Sequence, residues 1–228
     1  ITYTNNDYGK GLADVYKASC EAHGITVTAV AAHEDGKADY SSEVSVLASA
    51  GGDALAVIGY LDQGGKGMIQ GSLDSGAFGT FVLSDGMIGD SLTGAFGSSL
   101  NGSFGSLPGS TGKGANMFAE VAKKFGIDAS GPYTGESYDA AALILLAMQA
   151  GGSADRDVIA GNIMAIANGP GTKIYPGDLK LALRKLARGK RIYYEGATGV
   201  NFTDVGEAFG SFLEKEITKG AFQTAQQR

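Results

Sequence analysis

A strand's end, a polar turn and a helix start follow one another within the first dozen residues, Thr2-Tyr3-Thr4-Asn5-Asn6-Asp7-Tyr8-Gly9-Lys10-Gly11-Leu12. The same unit then returns through the first hundred residues. Apolar positions at helical spacing over 8–23 stop at Gly24, and the β-branched stretch 25–30 predicts a strand. A helix over 42–50 stops at Gly51-Gly52, and the nearly continuous apolar run 54–59 reads as a strand covered on both faces. A helix over 64–75 ends at Gly76, and a strand over 80–83 runs into Ser84-Asp85-Gly86-Met87. Strands alternating with helices of this length imply an α/β fold, with a parallel sheet and right-handed crossovers. In such a fold the polar turns gather at the carboxyl edge of the sheet, where open α/β folds bind ligands.

Between 102 and 114 the composition shifts to Gly, Ser, Pro and Thr, and 103–109 reads as a strand leaving one lobe for another. Helices are expected over 115–125, 135–150, 155–167 and 177–188, the third capped by Ser153 and Asp155. Beyond Arg191 the pattern is strand-like at 192–194, 200–202 and 211–213. A hairpin turn is expected at Asp204-Val205-Gly206-Glu207, and the polar tail 221–228 is expected to fray.

The net charge of −6 and pI near 4.9 argue against a nucleic-acid partner, since phosphate binding needs a basic face. The longest apolar run, 140–150, is too short to span a bilayer. Ile1 falls inside an expected strand with no charged n-region before it, so a preceding segment is expected outside this chain. Cys20 stands alone, which removes intrachain disulfides and Cys-based metal sites, and it shares a helical face with Leu12, Val15, Tyr16 and Ser19. His23 and His33 lack the spacing that puts two metal ligands on one helix face, so no metal site is expected. The run 109–114 resembles a phosphate loop, but Leu107 and Gly114 occupy positions that the motif gives to Gly and Ser/Thr. There is no GxSxG elbow, no cofactor motif and no nucleophile–base set, so an enzyme is not expected.

Three positions remain: Tyr8 after the first strand, Tyr60 to Asp62 after the third, and Asp85 after the fourth. All belong on one rim of one sheet. A carboxylate there with aromatic neighbours suits a small cationic or zwitterionic ligand, Asp85 pairing with an ammonium group and Tyr8 offering a ring face. The residues alone equally allow Asp85 to cap its own turn and Tyr8 to pack on the surface.

The sequence resembles the branched-chain amino-acid-binding family of periplasmic solute-binding proteins, the type I binding-protein fold. The likeness rests on Asn6-Asp7-Tyr8-Gly9-Lys10-Gly11, Ser84-Asp85-Gly86, Ser137-Tyr138-Asp139-Ala140-Ala141, the run from Ile192 to Gly199, and Asn201-Phe202 with Gly206 following. It implies two doubly wound α/β lobes joined by three crossings, with no cofactor and no catalysis. It also implies an amino acid or similar polar metabolite as ligand, a periplasmic location and delivery to a membrane ABC permease. By the same resemblance Asp85 receives the ligand's α-amino group, and Tyr8 lines that side. An aromatic after the third strand points to Tyr60, with Leu61 and Asp62 as alternatives one and two places on. The division expected is a ligand-binding lobe over 1–106, the helical remainder of the other lobe over 107–195, and a return crossing with a strand hairpin over 196–228. The family's amino-terminal segment has no counterpart here, so one lobe is expected to be incomplete and its open strand edges to favour self-association. Asn201-Phe202-Thr203-Asp204 replaces the family's more acidic turn. A ligand-sensing domain of a receptor or transcription regulator on the same fold is the alternative.

Overall fold

The computed structural model describes residues 1–228, which divide into two compact units. The first comprises Ile1–Leu107 with Glu214–Gln226, the second Pro108–Leu213 with Gln227–Arg228.

The first unit alternates strand and helix: β1 (Thr2–Thr4), α1 (Asp7–Ala22), β2 (Ala31–His33), α2 (Ser41–Ala50), β3 (Leu55–Ile58), α3 (Lys66–Ser75), β4 (Phe81–Leu83), α4 (Asp90–Phe96) and β5 (Phe104–Pro108). β1 to β5 are parallel and lie in the order β2-β1-β3-β4-β5. The chain thus winds outward from β1 to β2, then reverses to β3 on the other side of β1. That reversal makes β1/β3 the topological switch point, where ligands of open α/β sheets bind. All four residues of β3 are buried, as the unbroken apolar run requires. Leu55, Val57, Met68, Ile69, Phe81, Met87 and Leu92 are fully or almost fully buried. Each such side chain contributes about 1.5–3 kcal/mol of transfer free energy.

Two local features depart from the sequence reading. Residues 25–30 form no strand: Ile25 and Val30 are exposed, and pairing begins only at Ala31 opposite Thr2. β-Branched side chains favour a strand where a partner and a buried face exist; here the only backbone contact towards β1 is the Ile1 amino group donating to Ala29 O at 2.9 Å, and no residue of 25–30 is buried. The tail is not frayed. β10 (Phe212–Thr218) and β11 (Ala221–Gln227) extend the sheet beyond β5, turning through Lys219 and Gly220, both at positive φ. That two-residue turn is the type that matches strand twist, although Lys-Gly lacks the usual Asn-Gly signal. Ile217 N–H donates to Ser103 O and Gly109 N–H to Ser211 O, so β10 runs antiparallel to β5.

The second unit contains α5 (Lys113–Lys124), α6 (Thr134–Gly151), α7 (Arg156–Ala167), β6 (Thr172–Ile174), α8 (Leu179–Leu186), β7 (Ile192–Tyr194), β8 (Asn201–Phe202) and β9 (Ala208–Phe209). β6 and β7 form a two-stranded parallel sheet; β8 and β9 pair antiparallel across the expected turn, but the partner strand is 208–209, while 212–213, expected to complete that hairpin, begin β10 instead. Leu143, Leu146, Ile166, Ile174, Ala182, Ile192, Tyr194 and Val200 make its main core. Asp139 of α6 is the buried polar centre, 2% exposed. Its Oδ1 accepts from Tyr194 Oη (2.8 Å) and Ala197 N (2.7 Å), and its Oδ2 from Thr198 N and Oγ1 (both 2.8 Å). The turn 194–198 is therefore laced to α6, and Asn168 brackets Phe202 through both backbone groups. These bonds hold 196–213 in the second unit, so the chain rejoins the first unit at Glu214 and not at 196. No helix is long and apolar enough to cross a membrane.

Candidate functional site

At the switch point of the first unit, three strand ends bring Tyr8, Tyr60 and Asp85 together. Asn6 caps α1 by accepting from Gly9 N–H (2.9 Å), which fixes Tyr8 in the first turn. A Cβ on Gly9 would overlap the Thr4 carbonyl oxygen, so only glycine lets α1 start this close to β1. After β3 the chain makes a single wide π turn, Leu61–Gly65, before α3. Tyr60 is the last extended residue ahead of it, and its ring stacks on Tyr8 with centroids 5.2 Å apart and planes at 26°. After β4 a 3-10 turn, Asp85–Met87, presents Asp85. A Cβ on Gly86 would overlap Gly59 O and crowd Tyr60 Cδ1, so this glycine lets the β4 turn nestle against the end of β3.

The Tyr8 hydroxyl donates to Asp85 Oδ1 at 2.6 Å and lies 3.1 Å from Ser84 Oγ, with the Gly86 N–H as a further donor to the phenol oxygen. Ser84 Oγ also accepts from Gly59 N–H at 3.3 Å, linking the ends of β3 and β4. Burial first, and then the bond to the Asp85 carboxylate, push the Tyr8 phenol up to about 12. The phenol therefore keeps its proton at neutral pH and orients the carboxylate. Tyr8, Tyr60 and Asp85 are each half-buried.

The neighbouring candidates are placed differently. Leu61 reaches to within 2.9 Å of where a Cβ on Gly89 would stand, so its side chain lies over the loop that follows β4. Asp62 is 78% exposed and paired with Lys66 one turn along at 2.6 Å, engaged by its own helix.

Behind the stacked rings is a layer that the sequence reading does not pick out. Thr4 donates to Asp35 (2.7 Å) and Asn5 Nδ2 to Glu34 (2.5 Å), which ties the end of β1 to the end of β2. The Tyr40 hydroxyl, which accepts from Lys37 N–H, lies 2.9 Å from Glu34 O and 3.2 Å from Gln63 O, bracing the π turn from behind. His33, 1% exposed, bonds Thr2 Oγ1 through Nδ1 (2.8 Å), while its Nε2 has no partner. Burial pulls its pKa below the usual histidine range, against the pull of Asp35, Glu43 and Glu34. The one available signal was the position of His33 at a strand end.

A carboxylate oriented by a phenol, with two stacked rings beside it at a switch point, suits a small ligand carrying a positive group. No group of three or more His, Cys, Asp or Glu side chains is arranged to hold a metal ion.

Comparisons with known proteins agree with this architecture. A leucine-binding protein of Thermotoga maritima superposes with a TM-score of 0.74 at 23% identity, covering 99% of this chain and 59% of that one. A solute-binding protein of an ABC transporter from Rhodopseudomonas palustris, solved with p-hydroxybenzoic acid, gives 0.69 at 15% identity, covering 100% and 59%. At these identities the likeness establishes the fold, the type I periplasmic binding-protein fold, and this chain spans 59% of the length of each. A chemotactic signal transduction system substrate-binding protein of Halobacterium salinarum is 34% identical over 96 residues, which is 42% of this chain and 23% of that protein. The model of the periplasmic binding protein family matches residues 1–175. The chain belongs to the periplasmic binding protein family.

Proposed function

We propose that this chain is part of an extracytoplasmic solute-binding protein that captures an amino acid, or a similar small polar metabolite bearing an ammonium group, for an ABC importer. In this reading Asp85 receives the ammonium group, Tyr8 orients the carboxylate, and the Tyr60 ring closes one side. The observation that carries it is the 2.6 Å bond from Tyr8 to Asp85 at the β1/β3 reversal, beside the stacked rings. Leu61 contributes apolar surface next to the anchor, and Asp62 stays with Lys66 outside it. Family membership and likeness to solute-binding proteins of ABC transporters support binding without covalent chemistry and a periplasmic setting.

Isothermal titration of the full protein with a panel of amino acids, amides and aromatic acids tests this. The expected result is saturable binding restricted to ligands with a free amino group. Binding only to acids that lack one would overturn it.

The stretch shared with a chemotaxis substrate-binding protein favours a second reading, in which the loaded protein signals to a receptor. Affinity capture from native membranes with saturating ligand separates the two: a permease supports the first, a transducer the second.

A further inference from the structure

In a chain of net charge −6, six of the eighteen Lys and Arg residues fall within the twelve positions 180–191, and no Asp or Glu lies among them. Lys180, Arg184 and Lys185 stand on α8, Arg188 in the turn that ends it, and Lys190 and Arg191 lead into β7. Five of the six are exposed and Lys185 is half-buried. None of them makes an ion pair, whereas Lys10, Lys17, Lys37, Lys66 and Lys173 all do. The other twelve cations are left among all twenty-four carboxylates, so this segment has the opposite sign to the rest of the chain.

The helix divides its residues by direction. Leu179, Ala182, Leu183 and Leu186 pack into the core of the second unit. Lys180, Arg184 and Arg188 follow at intervals of four, one stripe along the outer side. Leu181, with Arg184, Lys185 and Arg188 three, four and seven places on, is 44% exposed within the basic field. Holding six like charges together costs self-repulsion. No ion pair offsets that cost, and only Arg184 and Lys185, in the last turn of α8, gain from the helix dipole, so the fold does not require the other four cations.

We infer that the α8 face is a membrane-contact surface that docks on anionic lipid headgroups. Unpaired Lys and Arg with long mobile stems around one exposed leucine match a headgroup layer, in which the cations meet phosphates and the apolar side chain reaches the acyl boundary. An acidic protein partner would accept the cations equally but gives no role to Leu181. The net negative remainder is repelled by the same surface, so contact is confined to this face.

The test is co-sedimentation of the full protein with vesicles of phosphatidylcholine alone and with one third phosphatidylglycerol, at low and high salt. The expected result is binding only to the anionic vesicles at low salt. Lys180→Gln/Arg184→Gln/Arg188→Gln should weaken it by about a hundredfold, at about fivefold per cation, with an unchanged circular dichroism spectrum. Leu181→Ser should weaken it by a smaller factor. Equal binding to both vesicle types, or undiminished binding of the triple variant, overturns the proposal. Binding to polyglutamate without binding to vesicles also overturns it, in favour of an acidic protein partner.

Discussion

Two carboxylates, Asp139 in the second unit and Asp85 in the first, both accept a tyrosine hydroxyl, but their surroundings differ, and the role proposed for Asp85 is the opposite of the one Asp139 performs. Asp139 is sealed from solvent and accepts four hydrogen bonds from Tyr194, Ala197 and Thr198, so its charge is consumed in holding one turn. Asp85 is half-buried at a strand end on the edge of its unit's sheet, oriented by Tyr8 beside a pair of rings. Identity of residue type and partner therefore says little. What differs between the two acids is enclosure: Asp139 is sealed from solvent, and Asp85 stands where a ligand can reach it.

The contrast is broken most severely by truncating each acid. Asp139→Ala leaves four donors in a buried site without their acceptor and should cost about 3–5 kcal/mol, read as a lower denaturant midpoint for the second unit. Asp85→Ala should change stability by less than about 1 kcal/mol. Equal costs would erase the distinction. Gly86→Val comes next, at about 1–3 kcal/mol, because its side chain has to displace Gly59 or Tyr60; an unperturbed midpoint would mean that the β4 turn is not seated as described.

A pH effect of intermediate size is expected at His33. Its folded-state pKa lies below the usual 6.5, so the unfolded chain binds the proton more readily than the folded one. Its contribution is present above about pH 6.5 and is lost as pH falls through that value towards the lowered folded pKa. Stability measured from pH 8 to 5 should fall with a component that His33→Gln abolishes; identical profiles for the two proteins would contradict the buried, neutral imidazole. The smallest effect belongs to Asp62→Ala, under about 0.5 kcal/mol, because an exposed helical ion pair contributes little. A larger loss would mean that Asp62 braces the π turn beyond this exposed pair.

Much of the first unit was legible because a βα rhythm is written in local pattern: the helices are bounded by Asn6, Gly51 and Gly76, and β3 is an unbroken apolar run. Tyr8, Tyr60 and Asp85 were readable as neighbours since parallel topology sends every strand's carboxyl end to one edge. Pairing was harder to see. Residues 25–30 carry strand propensity without a partner, while 221–227 look polar yet pair, because an edge hairpin with much of its surface in solvent needs few apolar residues. Tyr60, Leu61 and Asp62 were hard to tell apart because the chain curls into a π turn at Leu61–Gly65, three residues ahead of the helix start expected at 64. Asp139 was visible only as part of a motif, since three of its donors are backbone or hydroxyl groups almost sixty residues away.

The most direct test of the Asp85 anchor is a double comparison of affinities in the full protein. An α-amino acid ligand and its deaminated analogue are titrated into the wild type and into Asp85→Asn. A charge-assisted contact at Asp85 predicts that the wild type prefers the amino acid by tenfold or more and that this preference collapses in the variant. A preference of the same size in both proteins would contradict the account.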